Sequence, residues 1–272
     1  MTIKEAVLQT AVSCDAKTGK PHAAPLDLIV EEPLAIRIQG RPFMVIMRTP
    51  GEEKAHAVGL ALAEGVIDTL DDIGDLALCE GTNRNTVTLT LTPKAAARYR
   101  LHGERRAYVS QTGCGFCGRE LIDDLGAHIP PLADPAALSR ETITGCLAGL
   151  TQHQPLRRQT RAAHAAALFD AHGALLSIAE DVGRHNALDK AIGRLLLDGR
   201  LAQAAFCVLS SRISYELVQK AAKARIALVA AISRPTSLAV DLATHLNMTL
   251  VSEGPAGSIL IFTHPGRLTG TQ

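Results

Sequence analysis

The chain has 272 residues, 28 Lys+Arg against 27 Asp+Glu for a formal net charge of +1, 47% hydrophobic residues, six cysteines and no tryptophan. That balance excludes a general nucleic-acid binder, which needs surplus basic charge against phosphates, and the apolar fraction excludes a disordered chain. No apolar stretch reaches the roughly 18 residues that span a bilayer, and Asp15, Lys17 and Lys20 interrupt any signal-peptide core, so a soluble cytoplasmic protein with free thiols is expected.

Residues 34–38 and 43–47 flank Gly40 as a β-hairpin. Thr49-Pro50-Gly51-Glu52 then reads as a capping box with Pro at the first helical position. A helix follows to about Glu64, with Ala55, Val58 and Leu62 on one face. Residues 75–80 and 86–92, joined by 81–85, give a second hairpin in which Val87, Leu89 and Leu91 alternate with threonines. These elements compose a smaller α+β N-terminal domain over residues 1–135, ending in a cysteine loop at 110–118 and a linker marked by Pro130, Pro131 and Pro135.

That loop, Thr112-Gly113-Cys114-Gly115-Phe116-Cys117-Gly118, carries the two neighbouring cysteines. Cys79 and Cys207 sit in apolar runs and read as packing residues, while Cys14 and Cys146 are uninformative. Glycines leave the Cys114 and Cys117 sulfurs unshielded. The helical spacing from Glu120 and the presence of Arg119 favour thiolate over thiol. A structural zinc half-site would need two more ligands, and the sequence holds no second CxxC. Three chemistries use a lone CxxC. Dithiol–disulfide exchange lacks the surrounding βαβ unit. Zinc-dependent deamination needs H-x-E well ahead of P-C-x-x-C, whereas only nine residues separate Glu104, in His102-Gly103-Glu104, from Cys114, and Gly113 replaces the proline. Sulfur transfer through a persulfide needs an exposed, movable, low-pKa thiol, and a glycine-rich loop suits that.

Residues 136–272 have a different texture. A helix is expected over 141–150, and a hairpin joins 165–169 to 175–179 through Asp170-Ala171-His172-Gly173. A strand-then-helix unit recurs three times, with helices at 186–197, 215–224 and 238–246, and strands 249–251 and 259–262 close the chain. Apolar strands alternating with helices predict an α/β fold with a mostly parallel sheet covered on both faces. Ligands of such sheets sit outside the carboxyl ends of the strands. The three strand-to-helix junctions carry Arg184, then Ser210, Ser211 and Arg212, then Ser233, Arg234 and Thr236. Arginines beside free helix N–H groups suit a phosphorylated ligand. Ser214, Ser233 and Ser237 would equally serve as N-caps. Glu180 and Asp181 would accept from a base or ribose, or cap a helix. His185 reads as either structural or catalytic.

These residues resemble the FdhD family, sulfur carrier proteins required for formate dehydrogenase activity. The resemblance rests on four blocks spanning about 30–265. They are Thr49-Pro50-Gly51-Glu52 with Glu64-Gly65; Cys114 to Gly118; Glu180-Asp181-Val182-Gly183-Arg184-His185-Asn186-Ala187-Leu188-Asp189-Lys190; and Ser214-Tyr215-Glu216 with Val218-Gln219-Lys220 and Pro235-Thr236-Ser237. It implies a sulfurtransferase that takes persulfide sulfur from a cysteine desulfurase. The sulfur passes to the molybdenum or tungsten bis-guanine-dinucleotide cofactor, Mo-bis(molybdopterin guanine dinucleotide), before insertion into the formate dehydrogenase catalytic subunit. Cys114 then resembles the persulfide-bearing catalytic cysteine and Cys117 its partner. The same resemblance implies a homodimer and a C-terminal cytidine-deaminase-like α/β/α layered domain with no directly bound metal. It places the GDP-like part of the acceptor against Arg184, Arg212 and the loop between the last two strands. In the family that loop carries an aromatic and arginines; here it reads Glu253-Gly254-Pro255-Ala256-Gly257-Ser258. Ser211 also stands where a glycine is common. A non-catalytic cofactor-binding chaperone and a thiol–disulfide oxidoreductase are the alternatives, with neither nucleic acid nor membrane as a partner.

Overall fold

The hairpin read around Gly40 forms as β3 (Glu32–Ile38) antiparallel to β4 (Arg41–Arg48), with Gly40 at φ 73°, a conformation glycine adopts freely. The computed structural model describes residues 4–79, 85–100, 129–133 and 137–270. The second hairpin pairs β5 (Ile73–Leu78) with β6 (Thr86–Leu91), and a parallel β3–β6 pairing joins the two into a sheet of order β4-β3-β6-β5. The alternation turns Leu34, Ile36 and Ile38 and Val87, Leu89 and Leu91 into one buried face. Residues 93–100 are helical.

Ahead of this sheet stands an element with no counterpart in the sequence reading. β1 (Ala6–Cys14) and β2 (Pro21–Ile29) form a two-stranded antiparallel ribbon of nine residue pairs. Asp15 closes its turn, accepting the amides of Lys17 and Thr18 at 2.9 and 2.7 Å. Val7, Leu8, Val12, Leu26 and Leu28 on it are exposed.

The second sheet runs β13-β12-β11-β10-β8-β9, built from β8 (His164–Phe169), β9 (Leu175–Asp181), β10 (Phe206–Leu209), β11 (Leu228–Ala231), β12 (Thr249–Glu253) and β13 (Ile259–Ile261). The expectation of a mostly parallel sheet is corrected. Only β10–β11 and β11–β12 are parallel, and the other three pairings are antiparallel. Tight hairpins at both ends impose those pairings, and β8 lies between β9 and β10, so the first repeated unit crosses over a strand instead of pairing with the next. Both faces are covered. α4 (Arg184–Leu197), α5 (Tyr215–Lys223) and α6 (Ser237–His245) share one core with the sheet, and α2 (Arg140–Gly149) packs with Phe169, Phe206 and Val208 on the other face. A short helix, α3 (Pro155–Thr160), and a two-residue parallel pairing of β7 (Leu138–Ser139) with β14 (Leu268–Thr269) complete the described elements.

α1 (Glu53–Ala63) is buried on nearly all sides, between the first sheet and α4. Two glycines permit its approach: a β-carbon at Gly59 would land on the Asp189 carbonyl, and one at Gly193 on the Ala55 carbonyl. The capping box expected at Thr49 is also corrected. α1 begins four residues later, with Glu52 at its N-cap in the left-handed region at φ 61° and no side-chain cap. Glu53 instead accepts the Gly51 amide at 2.7 Å, and Gly51 at φ 107° needs to be glycine. Thr49 is unavailable as a cap because every polar atom it has is engaged across the molecule. No helix among the described residues is long and apolar enough to cross a membrane.

Candidate functional site

Thr49 leads into a buried polar network that fixes the start of α4. Its amide donates to Asp181 Oδ2 at 3.1 Å, its hydroxyl accepts from the Val182 amide at 3.1 Å, and its carbonyl accepts from Lys190 Nζ at 2.7 Å. Asp181, fully buried, pairs with Lys190 at 2.7 Å and accepts from the Gly183 amide and Asn186 Nδ2, each at 2.8 Å. One turn on, Lys220 donates to both oxygens of Asp189 at 2.8 Å. Burial pushes the Asp189 carboxyl up to about 6, opposed by the Lys220 ammonium. His56 of α1 is wholly buried beside this network. Burial first, then the charges of Lys190, Lys220 and Arg48, push its pKa down to about 3, so it is a neutral imidazole. Glu180 turns the other way and accepts the Leu156 and Arg157 amides at the N-terminus of α3. Both acidic residues left open by sequence thus have structural duties.

The rim lies at the carboxyl ends of β9, β10, β11 and β12, which all run the same way. With β8 among them, five strands at about 4.8 Å spacing make it roughly 19 Å wide. At one end stand Arg184, the first residue of α4, and His185. His164, which opens β8 opposite Asp181, lies beside them. Arg184 Nε and His164 Nδ1 are buried and have no hydrogen-bond partner among the described residues. Burial, then the adjacent Arg184 guanidinium, push His185 down to about 4, so it too is neutral.

Ser214 occupies the N-cap position of α5 but caps nothing. Its hydroxyl lies 3.5 Å from His185 Nε2, and His185 Nε2 lies 3.9 Å from Glu216 Oε2. Partial burial works to raise the Glu216 pKa, but the Ser214 hydroxyl, its own backbone amide and the Arg184 guanidinium outweigh it, and the carboxyl lies below its usual value.

The other predicted residues occupy the rest of the rim. Arg212 is exposed at the second junction, and Ser210 Oγ is taken by the Ala165 amide at 2.8 Å. Ser211 Oγ donates to the Arg212 carbonyl at 3.0 Å. At the third junction Thr236 caps α6, accepting from the Ala239 amide at 3.3 Å, while Ser233 and Arg234 are exposed. An Ile213–Pro235 bridge ties the second and third junctions together. Glu253-Gly254-Pro255-Ala256-Gly257-Ser258 follows β12 at the far end as a closed turn: the Gly254 amide donates to the Ser258 carbonyl at 2.7 Å and Ser258 Oγ to the Pro255 carbonyl at 2.7 Å. The structure therefore brings Arg184 toward Arg212 and sets the 253–258 turn apart from Arg184, at the opposite end of the rim. Cys114 and Cys117 lie outside the described residues. His164 and Glu216 are rim residues that sequence reasoning did not assign to a site. His164 opens an alanine-rich strand with no local signal, whereas Glu216 lies inside a block already quoted.

A family model described as the FdhD/NarQ family matches residues 29–269. The chain is 38% identical over 251 residues to the sulfur carrier protein FdhD of Xanthomonas axonopodis pv. citri (strain 306), covering 92% of this chain and 89% of that protein. It is likewise 38% identical over 244 residues to the sulfur carrier protein FdhD of Variovorax paradoxus (strain S110), covering 89% and 86%. A crystal structure from Desulfotalea psychrophila, described as a formate dehydrogenase accessory protein, matches with a TM-score of 0.76 over 98% of this chain and 100% of that one. At 24% identity that likeness speaks to the fold.

Proposed function

The chain belongs to the FdhD/NarQ family, and from that premise we propose that it is a sulfur carrier protein that serves formate dehydrogenase. Cys114 thiolate attacks the outer sulfur of a persulfide on a cysteine desulfurase. The donor's S–S bond breaks, the donor leaves as its thiolate, and a Cys114 persulfide forms. The Cys114 S–S bond then breaks, Cys114 leaves as the thiolate, and its outer sulfur passes at the sulfane level to the acceptor, a reduced metal centre that supplies the two electrons taking it to sulfide, with Cys117 as relay or release partner. The acceptor is the molybdenum or tungsten bis-guanine-dinucleotide cofactor, treated as a substrate and held by its phosphates along the rim from Arg184 and Arg212 to the 253–258 turn. The six-stranded unit is read as the cytidine-deaminase-like domain over 136–272, joined to the α+β domain over 1–135, in a cytoplasmic homodimer.

One observation carries this reading: the family match runs almost end to end, and the folded chain gathers arginines and helix N-termini at one rim. The test uses the full chain incubated with a desulfurase and cysteine. Intact-mass spectrometry should find one added sulfur on wild type and none on Cys114→Ala, and Cys114→Ala should fail to restore formate dehydrogenase activity in a strain lacking its own carrier. Full activity from a Cys114→Ala/Cys117→Ala double variant would overturn sulfur transfer in favour of the cofactor-binding chaperone.

A further inference from the structure

β4 is an edge strand: in the order β4-β3-β6-β5, nothing among the described residues pairs with its outer side. Alternate backbone N–H and C=O groups of such an edge point away from the sheet and can be met by another strand, so exposed edges are usually blunted with prolines or charges. Here Arg41 and Pro42 guard only the hairpin end. Beyond them Met44, Val45 and Met47 are 39%, 68% and 49% exposed. At the far end Asn186 Nδ2 donates to the Met47 carbonyl at 2.8 Å, which leaves residues 43–46 as the open stretch.

A groove lies against the same strand, lined by Pro33, Ala35 and Arg37 of β3 and by Phe43, Met44 and Val45 of β4. Pro33, Ala35 and Arg37 alternate with the buried Leu34, Ile36 and Ile38, so they face away from α1. Arg37 is the charged residue of the lining, and no acidic side chain among the described residues lines the groove with it. Its Nε and Nη2 donate to the Gly40 carbonyl at 3.1 and 2.5 Å, which fixes the guanidinium and leaves Nη1 to an outside acceptor. A carboxylate suits that position. β4 itself carries two arginines and no acid, so pairing with the β4 of a second copy would leave Arg37 without a counter-charge.

We propose that the open edge of β4 takes an extended segment of a protein partner, which adds a strand to the first sheet, sets apolar side chains against Met44, Val45 and the groove, and offers an Asp or Glu to Arg37. β4 leads directly into Thr49 and the network that fixes the start of α4, so a partner seated on it is held beside the segment that positions the rim. The surface depends neither on the cysteine chemistry nor on what the rim binds.

The experiment selects binders to the full-length protein from a display library of linear peptides of about ten residues, the length of a long strand. Selected peptides should alternate apolar side chains and share an Asp or Glu. Their affinity should fall about tenfold or more on Val45→Lys, which places a charge on the edge, and on Arg37→Glu. Exchanging the peptide's acid for lysine should restore binding to Arg37→Glu. Both substitutions fall at exposed positions, and unfolding curves should match wild type; Arg37→Ala replaces Arg37→Glu if the reversed charge disturbs the fold. Selected peptides without an acid, or peptides that bind both variants as tightly as wild type, would overturn the proposal. So would an empty selection. Sedimentation of wild type and Val45→Lys should give the same mass, and a dimer that Val45→Lys splits would assign this edge to a second copy instead.

Discussion

Residues 180–190 divide between two environments within three turns of chain. Asp181, Asn186, Asp189 and Lys190 point inward, are at most 7% exposed, and have their polar atoms engaged. Arg184 and His185, between them in sequence, stand at the rim with bonding capacity to spare. The inward set braces α4 against Thr49, 132 residues away from Asp181 in the chain. The outward set is held out by that brace. The four side chains of the brace have their hydrogen bonds made, whereas His56 and Arg48 beside it keep buried nitrogens without a partner among the described residues, as Arg184 and His164 do at the rim. The contrast yields separable effects on stability and on binding.

The largest effect is expected from Asp181→Ala. It leaves the Lys190 ammonium buried without its carboxylate, and removing one partner of a buried pair costs about 3–5 kcal/mol. Urea unfolding should show that loss. Arg184→Ala should lie within about 0.5 kcal/mol of wild type, while its affinity for pyrophosphate falls about tenfold or more. Comparable losses of stability in both variants would erase the distinction between brace and rim.

Acid acts on both sides, because His185 at the rim is also lowered, to about 4, and a His56 variant isolates the buried contribution. His56 has a folded pKa of about 3 against about 6.5 in the unfolded chain. As pH falls through that window the unfolded state takes up the proton and the folded state does not, so stability drops, at up to about 1.4 kcal/mol per pH unit. Asp189, raised to about 6, acts in the opposite sense between its ordinary value and 6, gaining stability as pH falls. The readout is therefore the difference in slope between wild type and His56→Gln from pH 6.5 to 4, where the variant should be flatter. Equal slopes would mean that His56 does not carry the acid sensitivity.

The helix crossing gives a smaller loss. Gly193→Ala places a methyl group on the Ala55 carbonyl, and α1 and α4 must part, at about 1–3 kcal/mol. Because Arg184 lies more than two turns from Gly193 along α4, GDP affinity should stay within about twofold. A loss of binding that matched the loss of stability would show that the crossing, and not the Asp181–Lys190 network, sets the rim.

Much of this was legible from sequence where the signal is local. The hairpin at Gly40, the Val87-Leu89-Leu91 alternation and the strand-then-helix repeats all form. The failures are long-range. Thr49 and Glu52 satisfy the capping-box pattern, but Asp181, Val182 and Lys190 claim Thr49 first, and no local pattern discloses partners that distant. The sheet read as mostly parallel because strand-helix alternation does not reveal that β8 inserts between β9 and β10. Arg184 and Arg212 could be placed at the rim because strand ends and helix starts are visible in sequence. The division of the 180–190 block into inward and outward side chains could not, since it depends on where α1 packs. The β1–β2 ribbon has an alternating pattern in β1 and an Asp-to-Gly turn, a signal that was present and carried no assignment.

The smallest effect is a gain, and it falls on the rim. Ala256 sits at φ 54° in the turn between β12 and β13, where a residue with a β-carbon is held at a cost of about 1–2 kcal/mol. Ala256→Gly removes that strain but gives the unfolded chain extra freedom worth about 0.4–1 kcal/mol, so the net should be a stabilisation of up to about 1 kcal/mol. A stabilised Ala256→Gly with weakened GDP binding would mean that the strain at 256 holds the turn in its binding shape. A stabilised variant with unchanged binding would confine nucleotide contacts to the Arg184 end. A destabilised variant would show that the left-handed conformation is supported by its surroundings and that the rim, at this end, is as fully satisfied as the brace.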